Sequence, residues 1–186
     1  MLNSIFVFLI KTILDFLAAN FLLRFYLQRT QAPYQNPLSH SVFVMTNFAI
    51  KPLRRIIPSL GKIDTSSLLA AFLSQLILYS TLAVSGNLAH ITTFSKGAIL
   101  LLFSLVGLVK ISLYLVLIVL IVYVILGWVA PQNPIAEVLN AITKPLLKTV
   151  RKYVPPVNFL DLSPLIVGIL AQIALIVMHH LVPLSL

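Results

Sequence analysis

Four stretches of this chain are apolar over lengths that cross a bilayer: Asn3 to Leu27, Ser66 to Val84, Gly97 to Val129 and Pro164 to Val182. About 20 helical residues span the roughly 30 Å of a hydrocarbon core. A chain of 186 residues that is 60% hydrophobic and 9% charged, with a mean hydropathy of +1.05, holds more contiguous apolar sequence than a soluble core of its size could bury. The reading is therefore an all-α membrane protein with four transmembrane helices. The third stretch, at about 1.5 Å per residue, is too long for a simple crossing, so it must project, tilt, or break near Gly107 and Lys110. The amino terminus lacks a basic leader, and its apolar run continues through Phe21, Leu22 and Leu23. It reads as a retained span rather than a cleavable signal.

Charge sets the orientation. The net charge of +9 arises from 13 Lys and Arg against only Asp15, Asp64, Glu137 and Asp161. In a membrane chain such an excess points to anionic lipid headgroups rather than nucleic acid. The connection 28–65 holds Arg29, Lys51, Arg54, Arg55 and Lys62, and the connection 130–163 holds Lys144, Lys148, Arg151 and Lys152. The opposite side has Lys96, beside His90, and a terminus with His179 and His180. The positive-inside rule places both basic connections in the cytoplasm and both chain ends outside. Arg24, near the cytoplasmic end of the first span, is expected to snorkel to the interface.

The chain repeats itself at a shift of 97 residues. Twelve of the 43 aligned positions from Gln35 to Ile77 are identical, among them Asn36/Asn133, Pro37/Pro134, Thr46/Thr143, Lys51/Lys148, Arg54/Arg151, Asp64/Asp161, Ser66/Ser163 and Gln75/Gln172. A period this long marks a duplicated module, here a span, a basic connection and a span. The expected organisation is a first repeat over 1–84, an external linker over 85–96 and a second repeat over 97–186. Two spans per unit give both copies one orientation, related by an axis along the membrane normal.

Each connection carries an apolar stripe at helical spacing. Leu38, Val42, Met45, Ala49, Leu53 and Ile56 form the first, and Ile135, Leu139, Ile142, Leu146, Val150 and Tyr153 the second. Lys51, Arg54 and Arg55, like Lys148, Arg151 and Lys152, lie off that stripe, as in a cytoplasmic amphipathic helix whose cations meet headgroups or a partner. Pro52 and Pro145 predict that each helix is bent or in two parts. Pro58 or Pro155 then ends it, Asp64 or Asp161 caps the next span, and Ser66 or Ser163 falls in that span's first turn. Capping accounts for the aspartate and serine but not for an arginine at a fixed distance from them. An Arg–Asp contact, within each joint or between the copies, would.

Inside the spans, Lys11 and Asp15 stand four apart on one helix face, Lys110 lies near the position matching Lys11, and Gln75 and Gln172 match each other. Ionisable groups at this depth face a partner or a cavity. Two readings stay open, a structural ion pair with interhelical hydrogen bonds, or the lining of an ion or proton path. No phosphate loop, metal cluster or hydrolase motif is present, and the adjacent His179 and His180 point to different helix faces. The chain reads as a non-enzyme without cofactor or metal, and the absence of cysteine excludes disulfides and thiolate sites.

The segments NPLSHSVFVMTNFAIKPLRRIIPSLGKIDTSSLL and WVAPQNPIAEVLNAITKPLLKTVRKYVPPVNFLDLSPLI carry Asn-Pro, the basic pair, Pro and Asp-x-Ser in the same order twice. In this the chain resembles the YggT family, also called YlmG, of small bacterial and plastid membrane proteins. The copies depart from each other where Gln31 stands opposite Trp128, Thr149 opposite Pro52 and Asn158 opposite Gly61. The resemblance implies a two-repeat protein of the bacterial inner membrane. It also brings the family's links to osmotic tolerance and ion balance, to division and to assembly of membrane complexes. The expectation is an assembly or organising factor that binds anionic lipid and a membrane protein partner through its two basic helices, alone or as a homo-oligomer. The alternative is a component of osmotic stress response or ion and osmolyte transport.

Overall fold

The computed structural model describes residues 2–57, 59, 63–85, 96–154 and 161–181, without the side chains at 96 and 181. Among these the chain forms six helices: α1 (Leu2–Arg29), α2 (Pro37–Ile56), α3 (Thr65–Val84), α4 (Lys96–Val129), α5 (Pro134–Arg151) and α6 (Ser163–Leu181). α1, α3, α4 and α6 are long and apolar enough to cross a membrane. Helix is the form such segments must take, because hydrocarbon offers no partner to an unpaired backbone group. Most of the expected linker over 85–96 lies outside the described residues, as do Pro58, Gly61, Lys62, His90, Pro155 and Asn158.

Local chemistry places the two shorter helices. The Asn36 side chain accepts the amide of Leu38 at 3.0 Å, and Asn133 accepts that of Ile135 at 2.9 Å, each with proline in the first turn. An Asn cap satisfies an orphan donor, and proline there gives up an N–H that had no helical partner. The prolines further on do not divide either helix: α2 runs through Pro52 and α5 through Pro145. α4 likewise passes Gly107 and Lys110 without a break.

The apolar stripes are turned from where periodicity alone places them. Ser39, Val42, Thr46 and Ile50 are the buried line of α2, while Met45 and Ile56 are exposed. In α5 the buried residues are Val138, Leu139, Ile142, Thr143 and Leu147, with Leu146 and Tyr153 exposed. Both threonines can be buried because each returns its hydroxyl to the carbonyl four residues back, Thr46 to Val42 and Thr143 to Leu139.

α3 packs between α1 and α4, whereas α6 lies against α4 and α5. An axis along the membrane normal would repeat the α3–α4 contact between α6 and α1. Among the described residues no Cα atoms of α1 and α6 come within 8 Å, so the close α3–α4 packing is not repeated there, although side chains of α1 and α6 line one cavity. α3 reaches α4 closely because Gly107 has no side chain. A Cβ there would meet Gln75 Oε1 and Tyr79 Cε2, each at 2.6 Å, and both side chains are buried. Small residues let membrane helices approach in this way. Gly107→Ala should destabilise the protein by about 1–3 kcal/mol through overpacking. The check is a lowered unfolding temperature in detergent, and an unchanged one would contradict the close α3–α4 contact.

Candidate functional site

The most densely bonded polar cluster joins α1, α2 and α3. Asp64, fully buried, is the N-cap of α3 and accepts Ser67 N at 3.4 Å and Ser67 Oγ at 2.7 Å. Arg54 reaches back from the last turn of α2 to Asp64 Oδ2 at 2.7 Å and donates to Gln28 Oε1 at 3.0 Å. Ser66 donates to the carbonyl of Ile57 at 2.7 Å, fastening the start of α3 to the end of α2. Arg24 completes the cluster. Its Nη1 donates to Thr46 Oγ1 at 2.7 Å and Asn47 Oδ1 at 3.0 Å, its Nε stands 3.7 Å from Asp64 Oδ2, and its guanidinium lies 4.6 Å over the Phe43 ring. Arg24 therefore does not snorkel: it is buried, because a carboxylate, two side-chain oxygens and an aromatic face replace the water it loses.

The second joint repeats the core of this arrangement. Arg151 Nε donates to Asp161 Oδ2 at 3.0 Å, its Nη2 bonds the same oxygen, and the Ser163 amide donates to Oδ1 at 3.0 Å. The recurring arginine thus has one cause in both halves, an ion pair that holds the end of the shorter helix to the aspartate just before the following span. The second pair is wetter, with side-chain exposures of 37% for Arg151 and 28% for Asp161. Burial pushes the Asp161 carboxyl up, but its contacts with Ser163 and Arg151 outweigh that and hold it below the usual carboxylate range. The bond to Asp161 in turn raises the Arg151 guanidinium above its ordinary value.

A second polar site lies within the spans. Lys11, Asp15, Gln75 and Lys110 line one cavity of about 180 Å³ with Tyr79, Tyr114 and His179. Asp15 is bonded across the helices: Gln75 Nε2 donates to its Oδ1 at 3.0 Å, so its direct partner is on α3 rather than Lys11 on its own helix. At the place matching Asp15, Ser112 instead shares a 2.6 Å hydrogen bond with Tyr26 of α1. Gln172 does not join the cavity but stands exposed on α6. No group of three or more His, Asp or Glu side chains suited to a metal forms among the described residues.

Of the six cations read as lipid or partner contacts, Lys51, Arg55, Lys148 and Lys152 are exposed, while Arg54 and Arg151 are engaged by aspartate. Arg24 and Thr46 escaped the repeat-based reading for different reasons. Arg24 has Ile121 as its counterpart, so self-alignment passes over it; Thr46 does repeat, but as a polar residue it fell off the apolar stripe. Tyr79 and Tyr114 had no signal beyond their aromatic type.

The joints should respond differently to substitution. Asp64→Ala leaves Arg24 buried and without its carboxylate, a loss of about 3–5 kcal/mol, whereas Asp161→Ala, at a wetter pair, should cost clearly less. Unfolding in detergent measures both, and equal losses would contradict the difference in burial. Acid gives a second check. Because Asp161 titrates lower folded than unfolded, its contribution is complete above the unfolded value of about 4 and disappears as pH falls through the lower folded value. The protection of the Ser163 amide against hydrogen exchange, relative to its intrinsic rate at each pH, should therefore fall at that acid end.

The model of the CCB3/YggT family matches residues 3–84 and 102–182. The uncharacterized protein in the proC 3′ region of Vibrio alginolyticus is 34% identical over 176 residues, 94% of each chain. An uncharacterized protein of Pseudomonas aeruginosa is 36% identical over 172 residues, 88% of this chain and 83% of the relative. The uncharacterized protein YggT of Escherichia coli K12 is 31% identical over 167 residues, 89% of this chain and 85% of the relative. No solved structure matches the chain. Matched by that model over both halves, each of which carries its own arginine–aspartate joint, the chain belongs to the CCB3/YggT family.

Proposed function

We propose that this multi-pass membrane protein is a non-enzymatic organising or assembly factor of the bacterial inner membrane. In this reading α2 and α5 lie on the cytoplasmic face, with both chain ends external, and hold anionic lipid and a protein partner. One observation carries it: Lys51 and Arg55 on α2, and Lys148 and Lys152 at the end of α5, are exposed beside the exposed apolar side chains Met45, Phe48, Leu146 and Tyr153. Cations next to an apolar surface are what a helix at a headgroup boundary presents. Replacing these four cations with alanine should strip anionic lipid from the purified protein, at about 1 kcal/mol of attraction per cation. Mass spectrometry of the retained lipid reads the result; an unchanged anionic share would assign the cations to a protein partner alone. Reporters fused after Lys152 should read cytoplasmic and those fused at Leu186 external.

The intramembrane cavity favours a second reading, a part in ion or osmolyte handling, since Lys11, Asp15, Lys110 and His179 surround one space. Asp15→Asn separates the two. Asparagine keeps an oxygen for Gln75 while removing the charge. The leading reading expects normal protein levels and normal growth under osmotic stress. Normal levels with lost osmotic tolerance, or lost ion flux in vesicles, would favour the pathway.

A further inference from the structure

The two joints differ in what fills the space beside the aspartate. In the first half, Tyr34 and Phe43 pack with ring centroids 5.5 Å apart, and Arg24 lies on Phe43 with its guanidinium turned toward Asp64. The counterparts of these three large side chains, 97 residues on, are Pro131, Asn140 and Ile121, and Ile121 is 58% exposed. The helix ends differ too. Gln31 takes a left-handed backbone (φ 52°) that ends α1, whereas its counterpart Trp128 stays in the last turn of α4. What remains beside Asp161 is a cavity of about 380 Å³ whose lining includes Tyr123, Trp128, Glu137, Asn140 and Asp161.

The chemistry of this lining is specific. Asp161 is matched by Arg151, but Glu137, where the first half has His40, has no ion-pair partner among the described residues. The cavity therefore holds one carboxylate in excess, with an amide oxygen from Asn140 and two aromatic side chains at its wall. A guanidinium suits such a set: it is flat, stacks on aromatic rings and offers five donors in a fixed fork, which a compact ammonium does not. A zwitterionic ethanolamine headgroup would bring a phosphate, and no Lys or Arg lines the cavity to receive it. The first joint shows the arrangement complete, since Asp64 there has two guanidinium neighbours, Arg54 from its own connection and Arg24 from a span.

We propose that the cavity beside Asp161 is a guanidinium-binding site, filled by an arginine side chain that another protein chain presents near the end of a membrane helix, as α1 presents Arg24 in the first half. The site is separate from the exposed cations of α2 and α5, so it stands or falls independently of their binding to anionic lipid.

Trp128 is the chain's one tryptophan and lines the cavity, so its emission reports occupancy. The full chain in nanodiscs without ethanolamine lipid is titrated with N-acetyl-arginine amide, and with N-acetyl-citrulline amide as the uncharged isostere. A saturable change is expected with the arginine probe only. Glu137→Gln should weaken it at least tenfold, and Glu137→Lys, which places a like charge in the lining, should abolish it. Glu137 is exposed, so the unfolding temperatures of these variants should match the parent. Equal responses to the two probes, no response to either, or a response that survives Glu137→Lys would overturn the proposal. So would nanodiscs containing ethanolamine lipid that shift Trp128 emission and block the arginine probe, because the occupant would then be a headgroup.

Discussion

Asp64 is the interaction on which the first half depends. Its two oxygens cap α3, hold Arg54 at the end of α2 and stand beside Arg24 of α1, so three helices meet at one carboxylate. A buried charge is tolerated when paired and hydrogen-bonded; here Thr46 and Asn47 bond Arg24 Nη1, while its Nε, without a hydrogen bond, stands 3.7 Å from Asp64 Oδ2. Arg24 could not be buried without Asp64, Thr46 and Phe43. Asp64 could not be buried without donors. The angle at which α2 leaves α1 and returns into α3 is in this way set by electrostatics as well as by packing.

The second half keeps the ion pair but loses the enclosure. Ile121 in place of Arg24 removes the charge that ties the first span to its joint, and Asn140 in place of Phe43 removes the surface on which that charge lies. The packing of the spans follows a related asymmetry. α3 is covered on two sides by α1 and α4, whereas α6, against α4 and α5, leaves Leu165, Ile169, Ile173 and Ile176 exposed. The two halves match at many positions, and where they differ, at Arg24/Ile121 and Phe43/Asn140, one joint is closed and the other open.

Between the halves, Gly107 and Gln75 solve a different problem. Polar groups within a bilayer need partners inside the protein. Gln75 gives Asp15 a donor across the helix interface, and the missing side chain at Gly107 leaves room for Gln75 and Tyr79 to lie there. Lys11, Lys110 and His179 line the same small cavity. This explains why charged residues persist in spans of otherwise high hydropathy.

The number of spans, the helices in the two connections, the Asn-Pro starts and the Asp64 cap could all be read from sequence, since each follows from local rules: run length, helical period and side-chain-to-backbone bonds within three residues. The arginine–aspartate pairing could be anticipated because the repeat held their spacing fixed at ten residues in both copies. Which face of α2 and α5 is buried could not. A threonine that bonds its own helix counts as polar in a sequence and as filler in a core, so Thr46 and Thr143 turned the buried line away from the apolar stripe. The burial of Arg24, the bond from Asp15 to Gln75 and the open cavity beside Asp161 belong to tertiary structure alone. Each depends on groups 19 or more residues apart being brought together, or, for the cavity, on large groups failing to meet. Sequence periodicity records which way a side chain points along its own helix, but the partner that decides whether a charge can be buried comes from another helix, and only packing brings it there.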